Sequence, residues 1–258
     1  MTLQPGSADI IQLAWARHLG LDDGAFAAAW AAGSGGDAGG DADAGGPGTS
    51  DSRHRITRAD ESARRVEFVR LFGSSALVGP QWVLDAAVGI PDSELAQHVT
   101  MLTITRSHGG HGLGAAALFF ADDLPLRQPS EELTVSHGNP EAIELEGLCP
   151  PDDVNEVGLA DLENRYTIIQ VEEGRRVPVA CGAYSEWEGM LAHMGVLVDP
   201  EWRRRGVGSL AASIAAHEAL ASGLTLQWRA DVSNKGALAI ARSLGFVTGG
   251  IHTSVLLR

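Results

Sequence analysis

The hydrophobic and polar positions change rhythm several times along the chain, and the rhythm predicts the elements. Residues 7–31 form a helical piece, with Ser7 or Asp9 as its cap and Ile10, Ile11, Leu13, Ala14 and Leu19 as a broken stripe. The next stretch, AAGSGGDAGGDADAGGPGTSD (31–51), is almost wholly Gly, Ala, Asp and Ser. It lacks the apolar surface that would offset the entropy of ordering it, which predicts a flexible linker or mobile insertion. From about Arg55 the pattern turns globular. VEFVRLFG (66–73) predicts a strand, GPQWVLDAAVG (79–89) a short helix, SELAQHVTMLTITR (93–106) a longer helix and LGAAALFFADD (113–123) an apolar strand. The polar run 124–141 predicts a connection.

After residue 141 the alternation sharpens. DDVNEVGLADLE (152–163) predicts a helix, with Asp152 or Asp153 near its start, where a carboxylate suits the helix dipole. RYTIIQVEE (165–173), RVPVACGAYSE (176–186) and MLAHMGVLVDP (190–200) predict strands, the last stopped by Pro200, which cannot donate to a ladder. RGVGSLAASIAAHEALASG (205–223) predicts a helix closed by Gly223. A strand (224–232), a helix (234–245) and a closing strand or strand pair (246–257) follow. The succession defines a mixed α/β layer architecture. It divides into an N-terminal helical segment (1–30), a linker (31–54), an accessory α/β region (55–140) and a C-terminal α/β domain (141–258).

Charge narrows the function classes. The formal net charge is -14, which argues against nonspecific nucleic-acid binding and mildly favours a cationic partner. Cys149 and Cys181 stand outside metal-type spacing, so neither a metal site nor a disulfide framework is expected. No apolar run approaches a membrane span, and the start lacks the pattern of a signal peptide; both point to a cytoplasmic protein.

Against that acidic background, WRRRGVGSL (202–210) concentrates three arginines and two glycines between a strand and a helix. A glycine turn opening a helix exposes backbone N–H groups that have no intrahelical partner, at the positive end of the dipole. Such a site binds phosphate without a dedicated side chain. Gly206 and Gly208 permit close backbone approach, Ser209 adds a hydroxyl, and Arg203, Arg204 and Arg205 add charge. The alternative is a basic surface loop that happens to hold glycine. No Gly-Lys-Ser/Thr ending and no G-x-G-x-x-G occur here, which removes the P-loop and dinucleotide-fold alternatives. HGGHGLGAA (108–116) precedes a strand and reads as a turn.

VDPEWRRRGVGSLAAS (198–213) resembles the acyl-CoA-binding motif of the GNAT superfamily of N-acetyltransferases, through Val198, Pro200, Arg203, Gly206 and Gly208. Asn234, Ala237, Leu244, Gly245 and Phe246 match that family's second motif at suitable separation. The resemblance covers about 141–258. It implies a mixed, mostly antiparallel GNAT-like sheet flanked by helices, joined to an N-terminal α/β accessory region. It also implies acetyl-CoA, or another acyl-CoA, as co-substrate and a small-molecule, peptide or protein amine as acceptor. The strand before the turn would splay from its neighbour and offer Val196, Leu197 and Val198 to the pantetheine arm. The pyrophosphate would sit on the amides of Arg204, Arg205, Gly206, Val207, Gly208 and Ser209, with Asn234 near the arm. The backbone near Val198 would face the developing oxyanion.

The catalytic groups are less marked. The family's usual tyrosine, which protonates the leaving thiolate, is Ala241 here. The candidates for the base are His193, grouped by alternation with Leu191, Gly195 and Leu197, and Glu186 and Glu188 at the preceding hairpin. Tyr184 and Trp187 are candidates for an acceptor pocket, with ordinary packing as the alternative; His217 falls within the cofactor helix. Two functions follow: an N-acyltransferase acting by direct attack of an amine on the thioester, or a non-catalytic GNAT-like module that senses acyl-CoA or binds a partner.

Overall fold

A computed structural model describes residues 2–4, 6–28, 55–125, 134–172 and 174–258. The expected linker 31–54 lies outside the described residues. In chain order the elements are α1 (Ser7–His18), β1 (Ile56–Ala59), β2 (Arg65–Leu71), β3 (Ser74–Gly79), α2 (Gln81–Ala86), α3 (Asp92–Leu95), α4 (His98–Thr105) and β4 (His111–Ala121). There follow β5 (Thr134–Ser136), α5 (Asn139–Leu148), α6 (Pro151–Val157), β6 (Asn164–Glu172), β7 (Arg175–Trp187) and β8 (Leu191–Val198). The last are α7 (Val207–Ala221), β9 (Thr225–Asp231), α8 (Lys235–Leu244) and β10 (Val247–Leu256). The mixed α/β class, with mostly antiparallel sheet and flanking helices, is as the sequence predicts.

The chain forms two compact units. One comprises Met1–Ser7, Phe119–Arg229 and Asn234–Val247; the other comprises Ala8–Leu118, Ala230–Ser233 and Thr248–Arg258. In the second unit β2 pairs antiparallel with both β3 and β10, and β1 pairs parallel with β3. Its core gathers Val66, Phe68, Leu77, Val83, Leu95, Met101 and Val255. The C-terminal strand therefore packs with β2 rather than with the helix that precedes it in sequence.

In the first unit β5, β6, β7 and β8 form an antiparallel run, and β8 continues parallel to β9. Helices cover both faces. Leu145, Leu159, Leu162, Cys181, Ala183 and Leu197 form the core beneath α5 and α6. Ile168, Val179, Ala180, Val207 and Ala211 form the one beneath α7. Burial on both faces is why β7 reads as a nearly continuous apolar run rather than an alternating one. Alanine favours helix and takes little room, and Ala211, Ala212, Ala215, Ala216 and Ala219 are fully buried on α7. That helix lies so close to β7 that a Cβ on Gly182 would stand 2.0 Å from the Ala211 carbonyl oxygen.

Several local expectations change. The helix expected over 93–106 is broken, because Gln97 adopts an extended conformation between α3 and α4. The helix expected over 152–163 stops at Gly158, which turns left-handed at φ 60°, and a 3-10 turn, Leu159–Asp161, follows. Of the two alternatives for the C-terminal segment, a strand or a strand pair, the single strand is found. Elements β1, β3, β5 and α5 were not expected as such.

Candidate functional site

Strands β8 and β9 pair only from Leu191↔Thr225 to Met194↔Trp228. Beyond that, β8 runs on to Val198 paired with β7 alone. Asp199 N–H donates to the Val179 carbonyl at 3.0 Å, which fixes the alternation of the antiparallel ladder. Residues 195 and 197 therefore turn their backbone groups toward β7, and Val196 and Val198 turn theirs toward the gap left by β9. The strand thus splays where the resemblance implies.

The turn that follows supplies the second half of the site. Asp199 accepts from Glu201 N–H at 2.9 Å and opens a short 3-10 turn, Pro200–Trp202. Arg204 takes a left-handed φ of 62°, and Gly206, at φ 84°, forms the N-cap of α7. The first helical bond runs from Leu210 N–H to the Gly206 carbonyl at 3.1 Å. The amides of Val207, Gly208 and Ser209 are therefore left without an intrahelical acceptor. The two glycines act differently. A Cβ on Gly206 would meet nothing within 4 Å among the described residues, so that glycine is needed for its φ, whereas a Cβ on Gly208 would stand 2.9 Å from Val198 Cγ2. Gly208 thus sets how near α7 comes to β8.

Gap and turn open into one cleft of about 430 Å3 within the first unit. One wall is Val196, Leu197, Val198, Arg203, Arg204, Gly208 and Ser209. The opposite wall is the start of α8, from Asn234 to Ile240. Trp228, edge-on to Phe246 at 5.8 Å between ring centres, lines it at the last paired position. Helix α6 closes one side with Asp153, Glu156 and Val157. Asn234 is held twice: its Oδ1 accepts from Ala237 N–H at 2.9 Å and caps α8, and its Nδ2 donates to Glu156 Oε1 at 2.7 Å.

The three arginines part company. Arg203 pairs with Asp153 at 2.5 Å and donates to the Val198 carbonyl through Nε at 3.3 Å and Nη2 at 3.4 Å. It ties the turn to both β8 and α6. Arg204 lines the cleft, while the Arg205 guanidinium lies 4.7 Å above the Trp202 ring. Cys149 Sγ donates to the same Val198 carbonyl at 3.6 Å, and burial pushes its thiol up to about 11, so it stays protonated at neutral pH.

The sequence candidates for proton transfer fall outside this cleft. His193 sits in the paired part of β8, opposite Ser185 and Gln227, and Nδ1 is buried with no hydrogen-bond partner among the described residues. Burial, with the nearby Arg229 charge, pushes its imidazole down to about 4. Glu186 and Glu188 are exposed at the far hairpin, and Glu188 takes a left-handed φ of 54°. Tyr184 is buried with its hydroxyl 3.4 Å from Ser222 Oγ, and His217 Nδ1 bonds the Ser213 carbonyl at 2.7 Å, so both serve packing of α7. Trp187 ends β7 opposite Leu191. Ala241 is fully buried and does not line the cleft. The cleft carboxylates Asp153 and Glu156 escaped sequence reasoning; their signal is the three-residue spacing in DDVNEV, which puts both on one face of α6. Among the described residues no group of three or more His, Cys, Asp or Glu could hold a metal ion, and no helix is long and apolar enough to cross a membrane.

Splayed strand, glycine-opened helix and capped second helix together frame the cleft. Residues 139–246 match the family model described as acetyltransferase (GNAT) family, and this part of the chain is a GNAT acetyltransferase domain. No curated protein shows a significant match to the sequence. Among solved structures, the chain is similar to a GNAT-family acetyltransferase from Novosphingobium aromaticivorans DSM 12444, at 17% identity and TM-score 0.44, covering 58% of this chain and 67% of that one. It is similar to a GCN5-related N-acetyltransferase from Kribbella flavida at 18% identity and TM-score 0.43, covering 61% and 63%. It is also similar to a GCN5-related N-acetyltransferase-like protein from Streptococcus suis 89/1591 at 15% identity and TM-score 0.45, covering 78% and 87%. The chain thus spans about two thirds of the length of the first two of these proteins.

Proposed function

We propose that the first unit is an acyl-CoA-dependent N-acyltransferase, using acetyl-CoA or another short acyl-CoA and acting on an amine. The observation that carries this is the parting of β8 from β9 after Met194↔Trp228, beside the open N-terminus of α7. The residues suit an acyl-CoA. A linear amide-bearing arm finds the backbone groups of Val196 and the Val198 amide turned into the gap, and an anionic pyrophosphate finds the amides of Val207, Gly208 and Ser209 with Arg204 beside them. The bound thioester supplies an activated acyl group; the chain binds it, orients it and offers the Val198 amide to the carbonyl oxygen. Calorimetric titration with acetyl-CoA tests the assignment. Saturable binding is expected, and no heat at about 1 mM, the upper end of ordinary substrate constants, refutes it.

A second function has its own support. The full burial of Ala241 leaves the cleft without the tyrosine hydroxyl of the family motif, which favours a non-catalytic acyl-CoA-binding module. Thiol release from acetyl-CoA across a panel of amines separates the two: amine-dependent release excludes the module.

A further inference from the structure

We propose that Glu156 is the proton acceptor for the attacking amine, an inference that rests on the acyltransferase assignment above. An amine must shed a proton as its C–N bond forms, and a side chain within hydrogen-bond reach accelerates this only if it can take that proton. Among the described residues, the ionisable ones lining the cleft are Asp153, Glu156, Arg203 and Arg204. Guanidinium groups donate and do not accept. Asp153 is committed to the ion pair with Arg203, whose positive charge opposes proton uptake there. Glu156 remains, and among the described residues it has no ion-pair partner.

Its position suits the role. Helix α6 brings Glu156 one turn beyond Asp153, on the side of the cleft that neither α7 nor α8 occupies. The bond from Asn234 Nδ2 to Oε1 fixes the carboxylate against the α8 wall and leaves Oε2 with lone pairs to accept a proton. The other carboxylates considered, Glu186 and Glu188, do not line the cleft. His193 does not either, and its buried ring resists protonation. In the step, the amine nitrogen bonds to the thioester carbon and its N–H proton passes to Glu156 Oε2, directly or through one water. The C–S bond breaks, with its electron pair leaving on sulfur as thiolate. Nothing is oxidised or reduced, and the carboxylic acid returns its proton to solvent.

The test compares Glu156→Gln and Glu156→Ala with the wild type. Gln keeps a carbonyl oxygen to accept from Asn234 and loses only basicity; Ala loses both. Acetyl-CoA affinity is measured by calorimetry, and thiol release with n-butylamine and spermidine is followed across neutral to alkaline pH. The expected result is acetyl-CoA affinity within about twofold of wild type in Glu156→Gln, with kcat down about 100-fold at neutral pH. That deficit should shrink toward alkaline pH, where hydroxide takes the proton in place of the missing carboxylate. Turnover of Glu156→Gln within about threefold of wild type overturns the proposal, as does a deficit confined to Glu156→Ala or one independent of pH. So does wild-type protein that binds acetyl-CoA yet releases no thiol with either amine; that outcome spares the cofactor site. Failure of the wild type to bind acetyl-CoA overturns the cofactor site as well.

Discussion

Replacing Gly182 with alanine probes how tightly α7 is seated. Gly182 lies on β7 opposite Val196, beneath α7. Its new Cβ would stand 2.0 Å from the Ala211 carbonyl oxygen, 2.4 Å from that carbonyl carbon and 3.0 Å from Ala212 N. Ordinary contact begins at 3.4 Å, so helix and strand must part by about 1.4 Å. All three obstacles are backbone, and no rotamer change relieves them. The cost belongs at the upper end for overpacking, about 3 kcal/mol. For a chain of this size that corresponds to a fall in Tm of roughly 6–12 °C. Because α7 carries the amides of Val207, Gly208 and Ser209, acetyl-CoA affinity should fall too. Gly206→Ala is the control: its Cβ meets nothing within 4 Å, and only the left-handed φ of 84° is strained, for about 1 kcal/mol. Scanning calorimetry decides. A Gly182→Ala protein whose Tm falls by no more than that of Gly206→Ala refutes the argument from close approach.

Two further outcomes are expected. His193 is held down to about 4 in the folded chain against an ordinary 6.5, chiefly by burial. Between those values the unfolded chain binds a proton that the folded chain refuses, so stability falls as pH drops from 6.5 toward 4, by about 3 kcal/mol in all. Urea melts of wild type and His193→Gln across that window should show the slope flattened in the variant; equal slopes refute the assignment. Asn234→Ala removes the cap of α8 and should cost about 1 kcal/mol, or a Tm fall of roughly 2–4 °C. An unchanged Tm shows that the cap is replaced by solvent.

The turn and the helix starts that frame the cleft were legible because their signals are local. Pro200 ends a strand, glycines open a helix, and Asn234 caps the next; each acts within a few residues of itself. The pairing that makes the cleft is not local. Nothing in LTLQWRADV says that Trp228 is the last residue to meet β8, since that depends on where two distant segments diverge. Strand β3, SSALVG, is buried at every position, so it shows no alternation by which to recognise it. Helix α5 buries only Ala142 and Leu145, too few for a visible stripe. Asp153 suggested a helix start, which it is; that the same face of α6 borders a cavity rather than water depends on Arg203 and Asn234, which lie far along the chain. The base candidates His193, Glu186 and Glu188 lie off the cleft, which their local sequence does not reveal. His193 lies on the strand that forms the site, but two residues short of where that strand becomes free.

The segment from Gly195 to Val198 is an edge strand set inside a folded unit; on its gap side the Val198 carbonyl is taken by Arg203 and Cys149, and no strand pairs with the rest. Exposed edges invite other chains to add as strands. Here the invitation is narrow: about four residues, on the order of 13 Å of strand, bounded by Trp228 at one end and the turn at Arg203 at the other. A polypeptide carrying side chains on both faces would collide with α6 on one side and α7 on the other. A slender chain with amides and no branches could lie there as a surrogate strand. Under the acyl-CoA assignment proposed above, the gap would act as a steric filter that admits pantetheine-like arms and shuts out the peptides that make open edges hazardous.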